Sequence, residues 1–486
     1  MQRLKKIPFF LLLLPLFFCL HGWLENYGFI RFTEILLPGL YIFAGIALLT
    51  GIVFLFTKNI VFASLIVFLF SLWYLFFGAL HDLVKQTPML SLIKSYPVIV
   101  TLLLLVTLAW IIFLRYQKKL HSKLTLYLNL LLFIYCAADI FLLAKASLVK
   151  TAEPVAAVTF DTAKVTGKPD VYLLLFDGYP GFTSLQDSFN FSNARLRTYL
   201  EERSFKSLPF FANYNLTYFC MSSMFNMQYV KDDFDNLRLQ PRDFQKRGAE
   251  INHAAIWPVF KSMGYDIRNF SIFEVDDQPA VTNKNSFLLA HAALLTDKIF
   301  HNRLHRDVGG RIKLLSFWQR DFYQHDINNK LTEELLIKAA RDKNSRPQFV
   351  YAHFMMPHGP YYFDSLGNKN PMGKIKDHTT WKDKPLFVSY LKYVNSRLFS
   401  MVDTIIAHHP QAIVIVMGDH GFRSYNSAAF HQPYRFDNLC MVRMPAQKQT
   451  ELKNSLSTVN LFPYIFNSAF AQNMPYLADS SVVLNY

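Results

Sequence analysis

Apolar residues fall unevenly along this chain. Before about residue 148 they run long enough to cross a bilayer. Beyond it they form short buried runs separated by amphipathic stretches. The long runs predict helical spans at about 7–23, 35–56, 60–80, 96–114 and 124–147, the first being short for a crossing. Met1–Pro8 carries Arg3, Lys5 and Lys6 ahead of Phe9–Leu20, the layout of a signal peptide. His21-Gly22-Trp23 is a poor cleavage site, and Phe18 stands where a lipoprotein signal needs a small residue before Cys19. An anchor that stays is therefore expected. Arg115, Lys118, Lys119 and Lys123 make the connection Arg115–Lys123 basic, like the N-terminus. Positive charge marks the cytoplasmic side, so five spans would deliver the rest of the chain to the outer face, and an even count would reverse it.

The pattern changes after a linker at 149–167. Asp170–Phe176, Gln348–Phe354 and Ala412–Met417 are continuous apolar runs of strand length, with further strands expected at Ser207–Asn213, Gly264–Phe273 and Asn438–Arg443. Asn193–Arg203, a segment from Thr217, Ile251–Met263, Phe287–Phe300, Thr332–Arg341, Tyr390–His408 and Leu456–Phe470 read as helices. Strand and helix in alternation mean an α/β domain with a largely parallel central sheet, here at 168–486. The expected architecture is thus an α-helical membrane domain at 1–148 followed by that α/β domain.

Composition agrees. Hydrophobic residues make up 52% and charged residues 17%, too apolar for one soluble protein. A net charge of +15 suits anionic lipid head groups. No nucleic-acid motif accompanies it, so no nucleic-acid partner is expected. Of the four cysteines, Cys19 and Cys136 sit in apolar spans, and Cys220 and Cys440 show no metal or redox spacing.

Two of the buried runs end alike. Asp177-Gly178 follows the first, and Gly418-Asp419-His420-Gly421 follows the run at 412–417. An α/β sheet gathers functional groups at the carboxyl ends of its strands. Each Asp alone is an ordinary turn residue. Together with His420 they favour a site for one divalent metal. Thr217 opens a helix, where a hydroxyl either caps the backbone or faces a bound phosphate. His353 and His358 stand at the end of a third run, beside Pro-Gly punctuation.

With these residues in view, 168–470 resembles the sulfatase-like branch of the alkaline phosphatase superfamily. The matching stretches are DVYLLLFDGY, NYNLTYFCMSSMFNM, FVYAHFMMPHGPYYFD, VIVMGDHGF and, less closely, STVNLFPYIFN. Several spans ahead of such a domain look like the lipoteichoic acid synthases and phosphoethanolamine transferases. The resemblance implies that Asp177, Asp419 and His420 hold the metal, with Asp177 where those two groups carry Glu. It implies that Thr217 is the nucleophile and touches the metal, and that His358 contacts the transferred group. His353 and His431 would be further substrate contacts. True sulfatases make their nucleophile from Cys or Ser in C/S-x-P-x-R, and Cys220-Met-Ser-Ser-Met lacks both Pro and Arg. The expected cofactor is one divalent ion, Zn or Mn. The expected reaction moves phosphoethanolamine or phosphoglycerol from a phospholipid donor to an envelope glycan or lipid acceptor, through a phospho-threonine. A membrane-anchored phosphodiesterase or sulfatase-like hydrolase with water as acceptor is the alternative, and a scaffold with a dead site the third reading. The expected location is the cytoplasmic or inner membrane, with the catalytic domain on the periplasmic or extracellular face.

Overall fold

A computed structural model of the chain describes residues 5–27, 30, 32–148, 158–231, 239, 241–281, 292–308, 323–342, 345–376, 382–423, 432–445 and 455–484. It divides into two compact units. One is Met1–Lys150 with Lys284–Trp318, and the other is Thr151–Asn283 with Gln319–Tyr486.

The first unit is helical. Phe32–Thr57, Tyr96–Tyr116 and Lys118–Leu148 are long and apolar enough to cross a membrane. Ile60–Leu75 and Phe77–Gln86 form a pair bent by 56°, which would make a fourth span if counted as one. Phe10–Glu25, at the first expected span, is shorter. Leu48, Phe56, Leu105 and Phe141 stand exposed on these helices. Such a surface suits hydrocarbon surroundings, and these helices anchor the chain in a membrane. Asn129, buried in the last span, caps the first helix: its Oδ1 accepts from Phe10 N at 2.7 Å, and its Nδ2 donates to Ile7 O at 2.8 Å. A helix start in apolar surroundings needs such a partner, because no water satisfies its free N–H groups.

Lys284–Trp318, which sequence alone kept within 168–486, groups with this helical unit. Its described part holds the helices Ala292–Thr296 and Phe300–Val308, where one helix over Phe287–Phe300 was expected; 287–291 lie outside the described residues. Leu295 and Ile299 bury among Phe10, Phe18 and Leu65. Gly78 N donates to Lys298 O at 2.7 Å, and a Cβ at Gly78 would stand 2.8 Å from Lys298 Cα. The strap therefore packs backbone against backbone at that point.

The second unit is the α/β domain. Its strands among the described residues are β1 (Val171–Phe176), β2 (Phe205–Ser207), β3 (Phe210–Phe211), β4 (Asp266–Phe270), β5 (Gln348–Phe354), β6 (Ile413–Gly418), β7 (Cys440–Arg443) and β8 (Leu456–Ser457). Six form one sheet in the order β2-β7-β6-β1-β5-β4, and β3 pairs with β8. β1, β4, β5 and β6 run parallel, while β7 runs antiparallel to both its neighbours. Every residue of β1, β5 and β6 is buried, because helices cover both faces of the sheet. Ile251–Met263 divides into Pro241–Asn252 and Ile256–Ser262, and Tyr390–His408 begins earlier, at Lys384, where Asp383 caps it. All four cysteines are free and buried.

Candidate active site

The register of the three central strands builds the site. Phe176 of β1 lies beside Phe354 of β5 and Gly418 of β6. The next residues along the sheet edge are Asp177, Met355 and Asp419. Side chains alternate faces along a strand. Leu173 and Leu175, Phe349 and Tyr351, and Ile415 and Met417 all enter one core cluster. Asp177, His353 and Asp419 continue that alternation on the same face. The helix Thr217–Asn226 covers this face, burying Phe219, Cys220, Met221 and Phe225 in the same cluster. The strand pattern thus aims three ionisable groups toward the start of that helix, where Thr217 stands.

Turn chemistry fixes the rest. Gly178 adopts φ +67, which glycine takes without strain, and its N–H donates to Asp419 Oδ1 at 2.8 Å. His420 N donates to the same oxygen at 2.9 Å. A Cβ on Gly421 would fall on the Tyr434 carbonyl oxygen and lie 2.7 Å from Asp437 O, so only glycine fits there. His420 Nδ1 donates to the Gly421 carbonyl at 2.7 Å. That bond leaves the Nε2 lone pair free, the arrangement of a metal-ligating histidine with its other nitrogen anchored.

His420 Nε2 lies 3.4 Å from Asp419 Oδ2, 3.9 Å from Asp177 Oδ1 and 3.5 Å from Thr217 Oγ1. Among the described residues, Asp177, Asp419 and His420 form a group whose ligand atoms all lie within 4.8 Å of one another. Asp177 Oδ1 and Asp419 Oδ2 are buried without a hydrogen-bond partner. Two like charges beside two unpartnered oxygens and a free imidazole nitrogen leave a site complementary to a cation. Oxygen and nitrogen donors at these distances fit a divalent ion. Burial, and then the Asp419 carboxylate, push the Asp177 carboxyl up to about 7. Burial acts the same way on Asp419, but His420, His353 and the Gly178 N–H outweigh it and hold that carboxyl below its ordinary value. Burial also depresses His420.

The other expected residues divide. His353 Nδ1 meets the Tyr351 hydroxyl at 2.9 Å, and its Nε2 is buried without a partner. Burial holds it down at about 4. His358 Nδ1 donates to Gly359 O at 2.7 Å, and its Nε2 accepts from Arg423 Nη2 at 3.3 Å. Burial, then Arg423, depress it to about 4. His431 lies outside the described residues. Cys220, one turn after Thr217, points its thiol at Tyr214 O at 2.9 Å, and burial raises its pKa well above the ordinary thiol value. It is an inert core thiol.

Sequence reasoning missed Arg423 and His325. Arg423 follows the DHGF stretch but belongs to no motif. His325, which burial and the neighbouring His358 hold down to about 4, lies in the first turn of a helix, Gln324–Arg341, that was expected to start only at Thr332.

The model of the sulfatase family matches residues 211–469, more than half of the chain. No curated protein matches. Among solved structures, the C-terminal periplasmic domain of EcEptC from Escherichia coli, in complex with Zn, is similar at 11% identity. It covers 64% of this chain and 85% of that one with a TM-score of 0.40. The phosphonate monoester hydrolase of Silicibacter pomeroyi is similar at 12% identity over 65% and 75%, TM-score 0.38. A Bacteroides thetaiotaomicron protein of a glycosaminoglycan locus is similar at 15% identity over 62% and 72%, TM-score 0.37. The family match spans the helix of Thr217 and the DHG turn, and the chain is an enzyme that belongs to the sulfatase family.

Proposed function

We propose that this enzyme moves a phospho-head-group, phosphoethanolamine or phosphoglycerol, from a membrane lipid to an acceptor in the cell envelope through a covalent intermediate on Thr217. The observation that supports this reading most is the seat of Thr217. Its hydroxyl lies 3.5 Å from His420 Nε2, and its proximity lowers the carboxyls of both Asp177 and Asp419 against the burial that raises them. The nearby thiol of Cys220 is turned away and buried. In this reading the Thr217 hydroxyl serves in place of the modified residue of a C/S-x-P-x-R sulfatase. The apolar helices supply a reason for a lipid donor, because an anchored site meets bilayer lipid at high effective concentration.

Asp177, Asp419, His420 and Thr217 would together hold one divalent ion, Zn or Mn. That ion would supply positive charge that acidifies the Thr217 hydroxyl and polarises a phosphoryl oxygen. Thr217 Oγ1, its proton released to solvent, then attacks phosphorus, and the lipid oxygen leaves as the new bond forms and takes up a proton from solvent. An acceptor alcohol attacks the phospho-threonine in turn and restores Thr217. His358 carries its proton on Nδ1, bound to the Gly359 carbonyl, and its Nε2 accepts from Arg423. In this form it orients the Arg423 guanidinium beside the reacting group rather than moving a proton itself. The basic loop at Arg115–Lys123 supports an outer-face position for the catalytic unit.

The test uses full-length protein in vesicles holding head-group-labelled phosphatidylethanolamine or phosphatidylglycerol, loaded with Zn or Mn. Label moving to an added glycan or lipid acceptor supports transfer. Label released as a free head-group phosphate makes the enzyme a hydrolase. No diacylglycerol from either donor with either ion would sink the proposal.

A further inference from the structure

Arg423 is the permanent cation of this site, and the chain holds it there on purpose-built partners. Its Nη1 donates to the Asn215 carbonyl at 3.3 Å, and its Nη2 donates to His358 Nε2 at 3.3 Å. Both partners are themselves fixed. Asn215 lies two residues before Thr217, and its side chain is bound twice by the Leu484 backbone, at 3.1 and 2.7 Å. His358 is locked by its Nδ1 bond to Gly359. The guanidinium is therefore strung between the nucleophile segment and the turn after β5. Among the described residues no carboxylate pairs with it, yet its charge reaches Asp177, His420 and His358. A guanidinium has five N–H donors in a planar fork, which matches the oxygens of a tetrahedral oxyanion.

The charges at the site can be counted from geometry. Asp177 and Asp419 bring two negative charges, and a divalent ion between them brings two positive. His358 accepts at Nε2 and donates at Nδ1, so it is neutral. His420 is anchored through Nδ1 and would ligate through Nε2, so it too is neutral. Arg423 leaves one positive charge over. We propose that Arg423, steered by His358 and Asn215, clamps the non-bridging oxygens of the group in transfer. In this reading it tunes the site to a tetrahedral oxyanion of one negative charge, a phosphodiester or a sulfate monoester, in preference to the dianion of a phosphate monoester. The proposal rests on the reading of the site as a metal-dependent transfer centre. It adds to that reading the residue and the charge that select the substrate.

The experiment measures binding rather than turnover. Full-length, Mn-loaded protein is titrated calorimetrically at pH 8 with dimethyl phosphate, methyl sulfate and methyl phosphate, in wild type, Arg423→Gln and Arg423→Lys. Metal content and melting temperature are read alongside. The expected result is that wild type binds at least one monoanion more tightly than methyl phosphate. Arg423→Gln should weaken that monoanion by about tenfold or more with metal content unchanged, and Arg423→Lys should fall between. Unchanged binding in Arg423→Gln, a wild-type preference for methyl phosphate, or no binding of either monoanion would overturn the proposal. If Arg423→Gln does not fold, Arg423→Lys must still show the loss. A preference for dimethyl phosphate names a phosphodiester. A preference for methyl sulfate keeps the clamp but removes the head-group transfer proposed above, so the two readings fail separately.

Discussion

Two clusters of ionisable side chains among the described residues, one partly exposed and one buried, are wired in opposite ways. In the helical unit, Arg303 is nearly buried and donates to Asp82 and to the Gly78 carbonyl, with Asp297 at 3.4 Å. Arg306 binds Asp297 at 2.8 Å and Asp307 at 3.1 Å. Asp307 also accepts from the Tyr96 hydroxyl at 2.7 Å, with Lys85 at 3.5 Å. Each carboxylate there meets a cation. In the catalytic unit, Asp177 and Asp419 are 2% and 0% exposed, and their described ion-pair partner is the neutral His420. The consequence shows in their protonation. Burial pushes Asp307 up, but Tyr96 and Arg306 outweigh it and its carboxyl lies below the ordinary range. Asp177 instead rises to about 7. A cluster that neutralises itself holds a fold together. One that leaves like charges unpaired is complete only with a cation from outside the chain.

Substitutions should separate the two kinds. The largest effect is expected at Asp419→Asn, which removes one of the like charges. Turnover of a head-group-labelled lipid should fall roughly a thousandfold or more, since several kcal/mol of charge stabilisation leaves with the ion. The melting temperature of the metal-free protein should nevertheless rise, because the amide still accepts from Gly178 and His420 N–H and no longer repels Asp177. Arg303→Ala should do the reverse. Activity per folded molecule stays, and stability of the helical unit falls by about 1 kcal/mol, read by thermal melting in detergent. A fall in stability in both, or in neither, would dissolve the contrast.

Next comes pH. Asp177 titrates near 7 when folded and metal-free, against 3.8 for an ordinary aspartate. Between those values the folded chain holds a proton that the unfolded chain has released. Metal-free stability therefore decreases as pH rises from about 4 to about 7. Divalent-ion affinity runs the other way, weakening by about tenfold per pH unit below 7, because the ion must displace that proton. Calorimetric Mn titrations from pH 5.5 to 8.5 measure it, and a flat profile would count against a shared Asp177 site. The smallest effect is expected at Tyr96→Phe, which deletes one hydrogen bond to Asp307 and should cost under about 1 kcal/mol with no change in ion binding.

The site edge was legible in sequence because buried strands advertise themselves. Gln348–Phe354 matches its expected bounds, β1 starts one residue later than expected, and β6 is shifted by one residue at each end. Asp177, Asp419 and His420 could be placed at strand ends for that reason, and the pleat then brings them to one face. The sheet order and the reversed β7 were not legible, since pairing is a long-range choice that a local pattern does not encode. Arg423 stayed hidden because a lone arginine after a motif looks like any surface arginine. Its role appears only when Asn215 and His358 arrive from distant parts of the chain. The strap at 292–308 was hidden for a related reason. Leu295 and Ile299 read as an ordinary amphipathic stretch, and nothing local says that their apolar partners are Phe10, Phe18 and Leu65.

Thr217 is the centre of the proposed chemistry, and one measurement addresses it directly. Full-length, ion-loaded enzyme is quenched within a single turnover on labelled lipid, and the peptide carrying Thr217 is weighed by mass spectrometry. The expected result is a phosphoethanolamine or phosphoglycerol adduct on Thr217, absent from a Thr217→Ala variant that folds but makes no product. Product formed by Thr217→Ala, or an adduct on any other residue, would contradict it.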